Sequence, residues 1–521
     1  MSTALWQFPG GLVLPAHKAG STAAPAQAAP IPDRLTVPIA EHPGEAAEVL
    51  VTPGDTVRTG QLIAHPKGQR GAAVHAPASG RVAAVEERRV PHPSGLAAPC
   101  VVIDSDGEDR WVEPAAPLSD VATTDPASLI RRIRDCGIVG LGGATFPTAE
   151  KLESAPPATG IEMLILNGAE CEPYISCDNR LMRERPGAVI DGAWILMRVL
   201  MAPRCLIGVE DNKPEAIAAL EAAVAEAGFE GVGVVTVPTR YPVGGEKQLV
   251  YTLTGKVIPS GALPAAVGVI SQNVATAAAV HDAVRGGRPL IERYVTVTGP
   301  GVAQPRNVVA RLGTPIEALI RLCGGYAENA SRLIMGGPMM GFAIDDDTVP
   351  IVKGSNCLLV GTAETFPPPQ QALPCIRCGA CADACPVALL PQQLYWHARA
   401  GELDRACEYH LDDCIECGIC GYVCPSHIPL VQYFLYAKSE IAAREQQRRQ
   451  AELARTRYEQ RQQRLERDRL ERASARQRKK AVLQHKSRST EQKKAEIQAA
   501  LERARRKKSD TPGSGGRSDK R

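Results

Sequence analysis

Two cysteine runs late in the chain carry its most specific chemistry. They read Cys375-x2-Cys378-x2-Cys381-x3-Cys385-Pro386 and Cys414-x2-Cys417-x2-Cys420-x3-Cys424-Pro425. Thiolates at every third residue let one loop wrap a corner of a cube and present three sulfurs to three irons. Each run therefore supplies ligands for a [4Fe–4S] cluster. Gly379 and Gly418 follow the second cysteine of each run, where the backbone must turn with little side-chain bulk. Paired CxxC motifs can also build a four-cysteine zinc site. Three cysteines at successive x2 spacings plus a Cys-Pro, twice over, favour clusters. A chain so equipped moves single electrons.

The same spacing occurs in bacterial two-cluster ferredoxins, where the fourth cysteine of one run ligates the other cluster. On that pattern Cys375, Cys378 and Cys381 pair with Cys424, and Cys414, Cys417 and Cys420 pair with Cys385. The chain has 16 cysteines, and those outside the runs lack ligand spacing and read as buried free thiols. Such usage points to a reducing compartment, not a disulfide framework.

These runs must be positioned by something larger, since 521 residues are too many for one core. Residues 1–34, rich in Ala and Pro, read as a loose arm. Residues 35–115 read as β, with strand–turn–strand units around Pro53-Gly54-Asp55 and Pro77-Ala-Ser-Gly80. They resemble a biotinyl/lipoyl-type barrel-sandwich domain. The lysine position of that family falls near Lys67-Gly68-Gln69-Arg70, which has no Met neighbour, so a structural role is expected there.

Strands and helices alternate from 125 to 285. Met163–Asn167, Leu206–Glu210 and Val232–Pro238 read as strands, and 128–136, 186–201 and 214–228 as helices. Such alternation predicts a parallel sheet with its ligand site beyond the carboxyl ends of the strands. Residues 290–362 suggest a β-grasp unit with a helix near 314–323. Residues 367–438 hold the cysteine runs, with a helical insert around Gly401. The tail, 439–521, lacks the apolar residues to bury a core and reads as a solvated helix fading out after Pro512.

A second chemical motif lies at the start of the α/β region: Gly137-Ile-Val-Gly140-Leu-Gly142-Gly143-Ala144-Thr145-Phe146-Pro147-Thr148. Clustered glycines let backbone amides approach a phosphate or flat ring, and Lys151 can add positive charge. A plain tight turn is the alternative. Three further segments accompany it: Asn167-Gly-Ala-Glu170-Cys171-Glu172-Pro173-Tyr174, Tyr241-Pro-Val-Gly244-Gly245-Glu246-Lys247 and Pro259-Ser-Gly261-Ala-Leu-Pro264.

Together these segments resemble the FMN- and NADH-binding subunit of respiratory complex I. They depart from it at Leu141 (Arg there), Thr145 and Ala149 (Gly), Ala169 (Asp), Tyr174 (Gly) and Lys247 (Glu). With the barrel domain and the ferredoxin-type insert added, the chain to about residue 440 resembles the C subunits of Rnf (Rsx) electron transport complexes. The resemblance implies an α/β multidomain fold with barrel-sandwich, flavin-type, SLBB β-grasp and α-helical ferredoxin domains. It implies two [4Fe–4S] clusters, FMN, and NADH as substrate. Gly140, Gly142, Gly143, Lys151, Asn167, Glu170, Glu172, Gly244 and Glu246 become the flavin or nucleotide-site candidates. The implied partners are other subunits of an ion-translocating membrane complex, with NADH, ferredoxin or flavodoxin as electron carriers. Alternatives are a soluble flavin–iron–sulfur oxidoreductase subunit, or a cluster-carrying subunit without flavin.

The formal net charge of +3 conceals an asymmetry. From Arg444 onward 26 Lys and Arg face 11 Asp and Glu, leaving 34 against 46 in the rest. A basic tail on an acidic body suggests an anionic lipid or acidic partner surface, or simply a solvated appendage. Nothing points to nucleic acid. Neither a signal peptide nor a membrane span is evident, the best candidate (Leu263 to Val284) being broken by Ser271, Gln272, Asn273 and His281. The expectation is a peripheral protein on the cytoplasmic side of the inner membrane.

Overall fold

The computed structural model describes residues 5–39, 47–66, 71–118, 120–154 and 160–509. The Lys67–Arg70 segment and the end beyond Pro512 lie outside them. The chain divides into Met1–Lys438 and Ser439–Arg521.

In the first unit, Arg34–Pro38, Ala97–Ser105, Gly80–Arg89 and Thr56–Val57 pair in that order as one sheet. A three-stranded sheet of Ala47–Val49, Leu62–Pro66 and Val74–His75 accompanies it. Alternation places Val37, Val57, Ile63, Val82, Val101 and Ile103 in a common core. This is the expected barrel-sandwich.

The next layer is a four-stranded parallel sheet in the order Val232–Val237, Cys205–Glu210, Met163–Gly168, Val269–Asn273. The first three strands follow the sequence reading. The fourth comes from the stretch weighed as a membrane span. Its polar Ser271, Gln272 and Asn273 end a buried strand, and Asn273 then caps the helix Val274–Arg285, its side chain accepting from the Ala275 amide at 2.8 Å. Among the described residues no helix is long and apolar enough to cross a membrane.

Six strands make the β-grasp sheet, in the order Gln27–Ala28, Arg306–Arg311, Glu292–Thr298, Cys357–Thr362, Ala330–Met335, Phe342–Ile344. The helix Ile316–Leu322 covers the sheet. The first of these strands belongs to the N-terminal segment, which the sequence suggested was loose. Its described part is pinned at several points. Phe8 is buried in the α/β core, Lys18 is 8% exposed, and Gln27 and Ala28 pair with Val308 and Val309. The low-complexity composition concealed individual anchors, each of which finds a partner far along the chain.

The cysteine-bearing domain is built from short helices, Ala380–Asp383, Pro391–Ala400, Leu403–Glu408 and Ile419–Tyr422. The insert predicted as helical around Gly401 is two helices broken there, Gly401 standing at φ +74°. A final helix spans Leu430–Ser509. Within the second unit it carries pairs such as Glu445–Arg449 and Arg455–Glu459 four residues apart. There Leu453, Tyr458 and Leu465 are exposed. It is the solvated helix the composition required.

Candidate functional site

The two cysteine runs fold as repeats of one backbone design. Arg377 and Glu416 stand at φ +58° and +57°, Gly379 and Gly418 at +82° and +81°, and Ala388 and His427 at +53° and +51°. Both glycines open four-residue helices, Ala380–Asp383 and Ile419–Tyr422. Matching left-handed turns bring the three thiols of each run into a cup, and the short helix carries the chain to the fourth cysteine.

Each fourth cysteine lies beside the opposite run. A cavity of about 450 Å³ is lined by Cys375, Cys378, Cys381 and Cys424, with Ile376 and Trp396 at its wall. On the other side Cys385 lies close enough to Cys414, Cys417 and Cys420 to act on all three electrostatically. Burial, reinforced by Cys414 and Cys385, pushes the Cys417 thiol up to about 11. A cluster is bound by thiolates, so its binding is coupled to release of thiol protons. Two sets of four soft thiol donors fit two [4Fe–4S] clusters. The two sets differ in burial: Cys385, Cys417 and Cys420 are buried, whereas Cys378 is exposed.

The glycine loop sits between the helices Pro126–Asp135 and Thr148–Glu153. The Gly140 amide donates to Phe146 at 2.8 Å and the Thr145 amide returns to Gly140 at 3.2 Å, closing a tight turn. Gly142, Gly143 and Ala144 are exposed on its outside. Gly143 has φ +112° and nothing within 4 Å of where a Cβ would stand. Bare amides with open space above fit a flavin ring or phosphate. Leu141, where the complex I relatives carry Arg, points the other way. It is 4% exposed in the α/β core, its amide on Thr276 and its carbonyl receiving Arg293.

Two further departures preserve backbone shape. Thr145 and Tyr174 replace glycines, yet they hold φ +50° and +70°. Tyr174 stacks on His17 of the N-terminal segment at 4.7 Å, which gives the strained position a partner.

The other candidates fall into two groups. Lys151 meets Glu246 at 2.7 Å, and the Asn167 side chain donates to the Gly244 carbonyl at 2.7 Å. Asn273, read in the sequence only as a break in a possible membrane span, joins these to the loop: it lies against Gly142 and donates to the buried Asp178 carboxylate at 2.7 Å. Its strand-to-helix position was legible as an N-cap, but its neighbours were not.

Glu170 and Glu172 are engaged elsewhere. Both Glu170 oxygens accept backbone amides, Asp178 at 2.7 Å and Asn179 at 3.2 Å, at the start of the helix Cys177–Glu184, where negative charge is favoured. One Glu172 oxygen accepts the amides of Met339 and Met340 at 2.6 and 3.0 Å. Burial raises the Glu172 carboxyl above its usual range, against those two bonds. Two buried lysines hold the backbone of the same segment. Lys18 donates to the carbonyls of Glu170 and Ile175, and Lys213 to that of Ala169 and to Glu210.

This region adjoins the buried thiol set. The Tyr241 hydroxyl donates to the Cys417 carbonyl at 2.7 Å, and Lys247 pairs with Asp413 at 2.7 Å. The 241–247 segment of the α/β domain and the second cysteine run therefore share one packed boundary.

Comparison with known proteins agrees with this layout. Residues 6–108 match the RnfC barrel sandwich hybrid domain, 133–282 the Nuo51 FMN-binding domain, 294–343 the SLBB domain and 374–428 the 4Fe-4S dicluster domain. Among solved structures, an NAD+-reducing [NiFe]-hydrogenase in the H2-reduced state matches 60% of this chain and 65% of that one, at 19% identity and a TM-score of 0.43. Among curated proteins, the C subunit of the ion-translocating oxidoreductase complex of Pseudomonas aeruginosa is 52% identical over 88% of this chain, which spans 58% of that relative's length. The corresponding protein of Pectobacterium atrosepticum is 46% identical over 96% of this chain and 71% of its own length. The fold and the donor sets thus carry FMN-binding and iron–sulfur domains, and the chain belongs to the family of C subunits of ion-translocating oxidoreductase complexes.

Proposed function

We propose that this chain is the peripheral, NADH-side electron-transfer subunit of a membrane complex that couples electron transfer to ion translocation. Its redox groups are FMN and two [4Fe–4S] clusters. The observation that carries this reading is the contact between the two domains that hold the candidate sites. The α/β domain that carries the glycine loop meets the buried set of Cys385, Cys414, Cys417 and Cys420 through Tyr241 and Cys417, and the other set contains the exposed Cys378. A flavin, when bound, supplies the change from paired to single electrons that NADH and a cluster require of each other.

The residues have distinct tasks. Gly140, Gly142 and Gly143 keep the turn free of side chains, so that backbone amides can meet a phosphate or ring. Lys151, steadied by Glu246, supplies positive charge, and Asn167 fixes the loop of Gly244. Glu170 and Glu172 position the segment between strand and helix, and their engaged oxygens make them supports for the site. Cys375, Cys378, Cys381 and Cys424 would hold one cluster; Cys414, Cys417, Cys420 and Cys385 would hold the other. We take the domains as 35–115, 125–285, 290–362 and 367–438, following the arm 1–34, with the tail 439–521.

The test is anaerobic purification with iron, sulfide and FMN assays, followed by NADH titration. Bleaching of a flavin band before the cluster bands is expected. Clusters without flavin and without response to NADH would overturn the reading. The engagement of Glu170 and Glu172 favours a second reading, in which the chain exchanges electrons with a ferredoxin or flavodoxin instead of NADH. Reduction by such a carrier but not by NADH would select it.

We place the protein on the cytoplasmic face of the inner membrane, its basic tail on anionic lipid or an acidic partner surface. Release by salt is expected, because exposed charges are screened within about 8 Å at physiological ionic strength. Retention after deletion of 444–521 would refute the role of the tail.

A further inference from the structure

Tyr241 has no ligand-type role in the site, yet it is among the most constrained residues at the domain boundary. It is 2% exposed, and its hydroxyl donates to the Cys417 carbonyl at 2.7 Å. Its backbone is fixed from the other side. Tyr241 and Leu12 exchange amide–carbonyl bonds of 2.7 and 2.9 Å, and the Arg240 guanidinium donates to the Gly10 carbonyl. The next residue of the N-terminal segment, Gly11, donates to Ala384, the neighbour of Cys385, at 3.0 Å. Gly10 has no room for a side chain, since a Cβ would lie 2.5 Å from the Ala384 and Cys385 carbonyl oxygens. Three residues after Tyr241, the Gly244 carbonyl receives Asn167 and the Gly244 amide donates to the Cys171 sulfur at 3.4 Å. Cys171 packs in the same small cluster as Tyr241 and Cys417. One short loop is thus bonded at one end to the flavin-type site and at the other to the peptide of a cluster-ligand cysteine.

We infer that Tyr241 is a positioning residue that couples the two sites and sets the reduction potential of the buried cluster through its hydrogen bond to Cys417. The inference rests on the one-electron role proposed above. The physics is that of a dipole. Reduction adds negative charge to a cluster, and potentials respond to nearby hydrogen bonds and burial. A hydroxyl proton on the Cys417 carbonyl places a positive dipole end inside the ligand loop. It also polarises the Cys417–Gly418 peptide in a low-dielectric setting, which favours the reduced state. Among the described residues no side chain donates to the Cys378 carbonyl, the matching position of the first run. The two clusters should therefore respond differently to the loss of the hydroxyl.

The experiment uses the full chain, loaded anaerobically with iron and sulfide, and reads each cluster by EPR during a mediated redox titration. For Tyr241→Phe the potential of the buried cluster should fall by the equivalent of a threefold to tenfold change in its reduction equilibrium, at most about 59 mV, with the exposed cluster unmoved. Placing 3,5-difluorotyrosine at 241, a stronger donor of similar shape, should move it in the opposite direction. It also serves if the Phe variant does not fold. Leu12→Val, which trims the apolar packing of the same boundary without removing a charge or a hydrogen-bond donor, should leave both potentials in place. Unmoved potentials in both Tyr241 variants would overturn the inference, as would equal shifts of both clusters or the same shift in Leu12→Val. NADH and flavin take no part in this titration. A chain that ignored NADH would defeat the proposed function and leave this comparison intact.

Discussion

Lys247 of the α/β domain and Asp413, the residue before the first cysteine of the second run, meet at 2.7 Å, and Ser260 closes on the other Asp413 oxygen. Asp413 thereby ties the cluster domain to two segments of the flavin-type domain. Lys247 stands where complex I relatives carry Glu, so a departure from one family's motif supplies a contact of this one. Replacing Lys247 with Met should weaken docking by about 1–2 kcal/mol, the usual worth of a hydrogen bond to a charged group with partial exposure. Faster proteolysis in the exposed 367–374 linker, with iron content unchanged, is the readout. Unchanged cleavage would mean that the pair contributes little.

The proposed exchange of fourth cysteines makes a pairwise prediction. Cys424→Ser should remove the cluster of Cys375, Cys378 and Cys381 and spare that of the second run. Cys385→Ser should do the reverse. Iron should fall by about half in each variant, and EPR should show which signal survives. Loss of the cluster of the mutated cysteine's own run would contradict the arrangement.

Gly143→Val tests the glycine loop. A branched side chain at φ +112° is strained and would fill the open space outside the loop. FMN content should drop about tenfold while iron and sulfide stay constant. Full FMN occupancy would remove Gly143 from the site.

A pH-dependent element lies inside the α/β domain. Asp191 on the helix Pro186–Leu200 bonds His281 and Arg285 on the helix Val274–Arg285, each at 2.7 Å. Burial alone would raise its carboxyl, but the hydrogen bonds from His281 and Arg285 outweigh this and hold it at about 2. A carboxyl depressed in the folded state stabilises the fold above its unfolded value, near 3.9, and loses that contribution as pH falls towards 2. Asp191→Asn should therefore cost about 1–2 kcal/mol at pH 7, after allowance for partial solvent screening. The gap from wild type should close as pH falls from about 4 to 2. Urea unfolding at several pH values measures it, and a gap independent of pH would show that the ion pair is not the source.

Much of the site was legible because its chemistry is local. Cysteines at fixed spacing beside a glycine define a ligand cup over a dozen residues, and glycine runs define a bare turn over six. Both survive in the fold as the sequence describes them. Three parallel strands were readable from buried runs at their turns. The fourth, Val269–Asn273, was hidden because its polar residues and the following apolar helix merged into one long hydrophobic stretch.

Roles that depend on distant partners were not readable. Glu170 and Glu172 have the composition of ligands, but both Glu170 oxygens and one Glu172 oxygen are taken by amides of residues 178, 179, 339 and 340. Nothing local separates a carboxylate that faces a cofactor from one that caps a helix. Lys18 and Phe8 sit in a segment of low complexity, and only the folded chain reveals that both are buried anchors.

The sequence by itself determined that this protein holds two clusters and a glycine-rich turn, because ligand spacing and backbone freedom are properties of neighbouring residues. Tertiary structure alone decided which thiol set is buried, which carboxylates support the site, and that Tyr241 joins the two. Burial and hydrogen-bond partnership arise between segments far apart in the chain, such as Tyr241 and Cys417, and take effect only when packing excludes water from between them.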